Sequence, residues 1–382
     1  YQRMAEVLRV TELSGKDLAT NLQFHYGLVH WFLGNGINAR PTTQFIVPYL
    51  TAVGQLKQAA NQLDLEFAYA KIKAGYMQAA GENAASWAQA LDAKQLLLTR
   101  PIQRLFNEPH YMSGWLSVNK DAVSIDGGQL EFKRNPIELL SELYHYLNMD
   151  FTTGKAARHM IWDHDNEILK SALSFYASLK DILGTKDFVE LEKGINGPAP
   201  EGVEAEQWAA VQASHAGYQA GTELFAVLPY IANATYFAGL QVNPDLSITI
   251  PEELKEKGLQ DAMNKVLVPP PTAKSDEILA LSGGMYYPRE APGMETYVEE
   301  GQHFEAGDVL YIVEVMKMFN KVHATFAGTI DKVLVENDGE IIKKGQAIFK
   351  VTPDEKIVIE TPEEVTARKQ AKTTEFLAAV NL

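Results

Sequence analysis

The stretch of this 382-residue chain whose residue types and spacing invite chemistry is Glu314-Val315-Met316-Lys317-Met318. One strand-like run precedes it, Asp308-Val309-Leu310-Tyr311-Ile312-Val313, and another follows, Phe319-Asn320-Lys321-Val322-His323-Ala324. Alternating apolar residues on both sides predict a β-hairpin with Met316-Lys317 at or beside its tip. A lysine at a hairpin tip stands clear of the protein with its amine in water, either as a plain solvated turn residue or as a point of attachment. A second group, His159, Asp163, His164 and Asp165, has metal-ligand residue types, and His159 and Asp163 share a helix face. No third ligand of clear spacing joins them, so a solvated polar face is expected there and no metal site. The chain has no cysteine, which removes disulfides, thiolate metal sites and thiol nucleophiles.

The elements that must position Lys317 repeat themselves. The run from Gly301 to Val313 aligns, 38 residues on, with the run from Gly339 to Val351. Gly301/Gly339, Gly307/Gly345, Phe304/Ile342, Leu310/Ile348, Tyr311/Phe349 and Val313/Val351 fall in register. Glycines at that spacing mark turns of positive φ between strands. The five residues around Lys317 closely resemble the biotin attachment motif of biotin carboxyl carrier domains, usually Glu-Ala-Met-Lys-Met, with Val315 in place of the alanine. Two similar halves with a lysine turn between them resemble the flattened, pseudo-twofold β-barrel of biotinyl and lipoyl domains. Lipoyl carriers usually show Asp-Lys, so Met-Lys-Met favours biotin on Lys317. The resemblance implies that Met316 and Met318 are read by the biotin-attaching ligase and that Glu314 helps present the turn. Residues 288–300 resemble the protruding thumb of some bacterial acetyl-CoA carboxylase carriers.

Further upstream, Thr20-Asn21, Phe24 and the Pro41-Thr42-Thr43-Gln44-Phe45-Ile46 run resemble the end of a biotin carboxylase domain, with Thr20 or Asn21 as a helix N-cap. The expected order is therefore a carboxylase remnant over 1–50, a mostly helical scaffold or docking region over 51–267, a Pro-rich linker over 268–276, a biotinyl carrier over 277–352 and a helical tail over 353–382. The fold class is α+β multidomain. Ala, Leu, Glu, Lys and Gln dominate Gln55–Ala74, Gly81–Leu98, Pro136–Asn148, His159–Leu183 and Glu204–Leu240. Asn135-Pro136 reads as a cap and first helical residue. A hairpin is expected with Trp115–Val118 and Leu130–Lys133 as strands around Asp126-Gly127-Gly128. The aromatic run from Leu224 to Tyr236-Phe237 reads as a buried helix kinked at Pro229 rather than an interface. The nine linker residues would span roughly 28 Å as polyproline II. Thr361-Pro362-Glu363-Glu364 reads as a helix start, followed by apolar anchors at Val365, Phe376, Leu377, Val380 and Leu382.

The net charge of −15 leaves no basic stripe for nucleic acid and disfavours anionic membranes. No apolar run reaches the ~20 residues of a membrane span. An intracellular, cytoplasmic protein is expected. The chain opens at Tyr1 in mid-pattern, as part of a longer polypeptide would.

By resemblance, the chain is the carrier-and-docking part of a biotin-dependent acyl-CoA carboxylase, a ligase forming C–C bonds. ATP, Mg and bicarbonate would be used at a biotin carboxylase site upstream. Lys317 would then carry the biotin-borne carboxyl group to a carboxyltransferase acting on an acyl-CoA. The implied partners are the carboxylase domain, the carboxyltransferase and biotin protein ligase, in an oligomeric complex. No complete active site and no catalytic acid, base or nucleophile is expected in this chain. The alternatives are a carrier of a pyruvate or 2-oxo acid carboxylase or decarboxylase, and a lipoyl-type or unmodified barrel serving as an interaction module.

Overall fold

The computed structural model describes residues 1–13, 15, 20–35, 43–149, 160–185, 187–267, 276–315, 318–335, 337–354 and 360–382, with the backbone alone for 160–166 and 318. The chain divides into two compact units, residues 1–267 with 362–382, and residues 268–361.

The first unit is built from helices: α1 (Gln2–Val10), α2 (Leu22–Asn35), α3 (Thr43–Asn61), α4 (Leu65–Ala80), α5 (Ala84–Asn107), α6 (Pro109–Val118), α7 (Pro136–Tyr146), α8 (Met160–Leu183), α9 (Phe188–Ile195), α10 (Ala205–Thr222), α11 (Val227–Ala234), α12 (Lys257–Leu267) and α13 (Pro362–Ala379). Their starts have local causes. The Thr20 hydroxyl accepts the Leu22 N–H ahead of α2, and Asp64 caps α4 through the Phe67 N–H. Asn135 caps α7 through the Ile137 N–H, with Pro136 at the first helical position as expected. Residue 50 lies inside α3, which runs unbroken to Asn61. The periodicity of 55–74 is split by the Asp64 cap into α3 and α4.

α2 and α6 pack at very short range. A Cβ on Gly27 would lie 2.3 Å from the His110 carbonyl oxygen, so that contact requires glycine. The core of the unit is aromatic, with Trp31, Phe45, Tyr49, Tyr69, Tyr144 and Phe225 fully buried.

One expectation needs correcting. Trp115–Val118 is the end of α6, and the hairpin strands are β1 (Val123–Asp126) and β2 (Gln129–Phe132). Gly127 and Gly128 both take positive φ, the conformation of a two-residue hairpin turn. The strand pattern in Trp115–Val118 is overridden by burial of that helix face against α2. A small second hairpin joins β3 (Gln241–Val242) and β4 (Ile248–Thr249). The 224–228 segment is core: Leu224 through Leu228 are buried, and a tight 3-10 turn over Glu223–Ala226 separates α10 from α11. Pro229 therefore falls in the first turn of α11, where its missing N–H breaks no helical bond.

α13 belongs to the helical unit although it follows the second unit in sequence. Phe376, Leu377 and Val380 are buried, and the Phe376 ring sits 4.9 Å from that of Tyr230. The Thr373 hydroxyl accepts the Asp64 N–H at 2.9 Å. Leu382 remains exposed.

The second unit contains two four-stranded antiparallel sheets. Its strands are β5 (Glu277–Leu279), β6 (Gly284–Tyr287), β7 (His303–Phe304), β8 (Val309–Val315), β9 (Met318–His323), β10 (Gly328–Val333), β11 (Glu340–Ile342) and β12 (Ala347–Pro353). One sheet has the order β5-β12-β10-β7, the other β11-β6-β8-β9. A shared core from both sheets, including Phe304, Leu310, Tyr311, Ile348 and Phe349, fills the space between them. Among the described residues the sheets do not close into a continuous barrel. The linker expected over 268–276 lies outside the described residues except for Asp276.

Candidate functional site

The hairpin of β8 and β9 forms as the alternation predicts. Its rungs run Tyr311↔Val322, Ile312↔Lys321, Val313↔Asn320, Glu314↔Phe319 and Val315↔Met318. Val315↔Met318 is the last described rung, and the two residues that separate these partners in sequence, Met316 and Lys317, lie outside the described residues. Met318 is described only as backbone. Glu314 is fully described, and its carboxylate accepts the Tyr287 hydroxyl from β6 at 2.8 Å. That contact raises the Tyr287 pKa, because ionising the phenol beside a carboxylate is unfavourable.

The internal repeat is a structural one. Gly301, Gly307, Gly339 and Gly345 all take positive φ, and every paired apolar position of the repeat is buried. The hydrogen bonds repeat too. Gly307 N donates to Ala324 O as Gly345 N does to Ala280 O, and Gly301 N donates to Ile330 O as Gly339 N does to Tyr286 O. The repeat therefore extends to residues 280–286 and 324–330, beyond the segments legible as similar in sequence. Under this pairing β5, β12, β10 and β7 correspond to β9, β8, β6 and β11, which is the order of the other sheet.

Gly284 and Gly328 are one such pair. A Cβ on Gly284 would lie 2.5 Å from the Glu314 carbonyl oxygen, and one on Gly328 would lie 2.7 Å from that of Thr352. Glycine is thus required where β6 passes β8 at Glu314, just before the last described rung. Sequence reasoning missed Gly284; the signal was its 44-residue spacing from Gly328.

The repeat also sets where the unit is tethered. In the first half the chain passes from β8 through 316–317 into β9, whereas in the second it leaves at Pro353. Asp276 O accepts the Val351 N–H at 2.9 Å, so the entry and exit of the unit lie side by side. Pro353 pairs with Gly328, and Gly328 pairs with Phe304, close to the hairpin base at Asp308 and Ala324. From that base β8 runs seven residues, about 23 Å, to Val315. The last rung and the two tethers therefore occupy opposite ends of the unit.

Two further features flank the last rungs: an outer-face row that sequence reasoning missed, and the 288–300 loop, which it found. Ile341↔Met285, Met285↔Glu314 and Glu314↔Phe319 form one cross-strand row on the outer face. Its apolar members are open to solvent: Ile341 is 75%, Met285 41% and Phe319 61% exposed. Beside this row lies the 288–300 loop, closed at its base by the Tyr297 N–H to Pro288 O bond. Glu290 on this loop pairs with Lys321 of β9 at 2.6 Å and accepts the Tyr297 hydroxyl. The pairing lowers the Glu290 pKa and raises that of Lys321, as opposite charges in contact must. Arg289 holds Asp338 at 3.1 Å. The loop is pinned to β9 four residues along the chain from Lys317.

The side chains of Asp163, His164 and Asp165, and all of His159, lie outside the described residues. No helix of the described residues is long and apolar enough to cross a membrane.

Residues 284–351 match the family model of biotin-requiring enzymes. The chain is 41% identical over 68 residues to the biotin carboxyl carrier protein of acetyl-CoA carboxylase from Pseudomonas aeruginosa, covering 18% of this chain and 43% of that protein. The Nostoc sp. protein of the same description is 32% identical over 81 residues, covering 21% and 44%. That of Haemophilus influenzae is 40% identical over 60 residues, covering 16% and 38%. The chain spans less than half the length of each of these relatives.

Proposed function

We propose, from a domain at residues 284–351 that matches the biotin-requiring enzymes, that this chain carries biotin on Lys317 for a biotin-dependent acyl-CoA carboxylase. The observation that carries the reading is the β8–β9 hairpin, whose last described rung, Val315 with Met318, flanks Met316-Lys317 in sequence and lies at the end of the unit opposite its tethers. That arrangement fits a covalently attached group: the last described rung lies away from the connecting chain, and the glycine at 284 lets β6 support β8 beside it. Biotin supplies a ureido nitrogen that accepts a carboxyl group and, through lysine, a long arm.

This chain's own residues hold and present that arm. Glu314 is tied to Tyr287, which fixes the last rungs before the turn. The 288–300 loop, anchored by Glu290 to Lys321, stands beside β9 and is read as the thumb of an acetyl-CoA-type carrier. Tethering both ends of the carrier unit turns encounter with each reaction site into an intramolecular event, so effective concentration replaces diffusion. The ATP, Mg and bicarbonate chemistry and the carboxyltransferase belong to partner sites in an intracellular complex. Residues 1–50 are read as the end of a biotin carboxylase domain, supported by the Thr20 contact that opens α2. The rest of the helical unit is read as a docking scaffold.

The test is the mass of the intact protein from its native host, with the modified peptide mapped. Biotin on Lys317, lost in Lys317→Arg, is the expected result. A lipoyl group at the same residue would transfer the protein to oxo-acid dehydrogenase-type systems. An unmodified Lys317 in a biotin-replete host would overturn the reading.

A further inference from the structure

The outer face of the sheet β11-β6-β8-β9 carries an apolar row that the carrier reading leaves without a role. Ile341, Met285, Glu314 and Phe319 are its cross-strand members, and Tyr287 lies beside them on β6. The Tyr287 hydroxyl donates to Glu314 at 2.8 Å and lies 3.5 Å from the Met285 sulfur. Its ring centroid is 5.8 Å from that of Phe319. A thioether, two aromatic rings, an aliphatic side chain and one carboxylate therefore share a face.

The carrier unit contains an internal control for this face. The repeat makes His303, Thr329 and Thr352 the counterparts of Ile341, Met285 and Glu314, and their rungs correspond. That second row is polar throughout and satisfied from within: His303 pairs with Asp354, and the Thr352 hydroxyl donates to Asp331 at 2.9 Å. Two halves with one strand order thus fold with either chemistry on the outer face, so folding does not demand the apolar side chains. Exposed apolar residues scattered singly need no explanation, whereas a contiguous group marks a contact surface.

Size and chemistry select the occupant. Three strand spacings set the row at about 14 Å end to end, and its exposed apolar side chains offer on the order of 300 Å². A stable protein–protein interface takes roughly 800 Å² from each partner. A second copy of the row brings no cation to Glu314. A small fused-ring group with an apolar edge and N–H donors meets both demands: the edge covers Met285, Phe319 and Ile341, and an N–H reaches the Glu314 carboxylate. Biotin has that chemistry, a thioether ring fused to a ureido ring, and Phe319 is two residues along the chain from Lys317. We propose, resting on the reading that Lys317 is biotinylated, that this face is the resting site of the attached ring system, with Glu314 accepting a ureido N–H.

Nuclear magnetic resonance on the full chain, deuterated except for its methionine methyl groups and carrying protonated biotin, tests this. The chain has ten methionines, and Met285→Leu and Met294→Leu identify the two signals that matter. Met294 is 53% exposed on the 288–300 loop, the other surface beside β9. Intact mass first reports biotin on Lys317; its absence overturns the carrier reading itself and this inference with it. In biotinylated protein, nuclear Overhauser contacts from the biotin ring protons to the Met285 methyl are expected. Phe319→Asn and Ile341→Thr together, both at exposed positions, should lower their intensity at least about five-fold. Contacts to Met294 alone, or to neither methyl, in protein whose mass shows the biotin would overturn the proposal. So would a Met285 signal in unmodified protein that moves with protein concentration, which would give the face to a second copy.

Discussion

Glu223 at the end of α10 offers a quantitative test of how the helical unit is held together. Its carboxylate accepts the Tyr76 hydroxyl at 2.6 Å, and it lies near Glu192, which is itself held by Gln219. Burial raises its pKa from 4.5 to about 7; Glu192 adds to the rise and the Tyr76 bond opposes it. The folded protein therefore holds a proton that the unfolded chain has released. The sign follows: the contribution to stability is fully present below about 4.5 and is lost as pH rises through about 7. At about 1.4 kcal/mol per tenfold change the gap corresponds to about 3 kcal/mol, and partial contact with water trims this to roughly 2 kcal/mol. Glu223→Gln keeps an acceptor for Tyr76 but cannot ionise. The stability of the variant relative to the parent should therefore rise by roughly 2 kcal/mol between about pH 5 and about pH 8. Urea unfolding followed by far-ultraviolet circular dichroism reads the helical unit, and the histidines that titrate in this window are common to both proteins and cancel. A stability difference that stays flat with pH, or grows toward acid, would refute the burial argument.

Gly284→Ala should lower the stability of the sheet unit by about 1–3 kcal/mol, because its Cβ would meet the Glu314 carbonyl, while melting of the helical signal stays unchanged. Gly27→Ala should do the reverse: with the His110 carbonyl 2.3 Å from the new Cβ, helical unfolding should shift to lower urea by a similar about 1–3 kcal/mol. His303 Nε2–H donates to the Asp354 carboxylate at 2.6 Å, and this contact raises its pKa. An NMR titration should show its midpoint above the ordinary 6.5, and Asp354→Asn should return it toward that value. The stabilisation this contact provides is present below 6.5 and lost as pH rises through the folded midpoint.

The sequence by itself determined the hairpin around Lys317, the glycine-marked repeat that frames it and the start of α7. Each depends on local rules: alternation at period two, positive φ at Gly301, Gly307, Gly339 and Gly345, and an Asn-Pro cap. Local rules also misled, because Trp115–Val118 reads as a strand until its burial in the helical core makes it the end of α6. Only the tertiary structure decided the rest. Gly284 and Gly328 are equivalent because two strands cross at the same distance in each half. α13 returns to the helical unit because Phe376, Leu377 and Val380 find a surface beside Tyr230, and nothing local in the C-terminal sequence specifies that surface. The exposed row of Ile341, Met285 and Phe319 exists only once four strands, with residues separated by up to 56 positions, are set in register. Such contacts depend on chain closure over long separations, and one-dimensional periodicity carries no information about them.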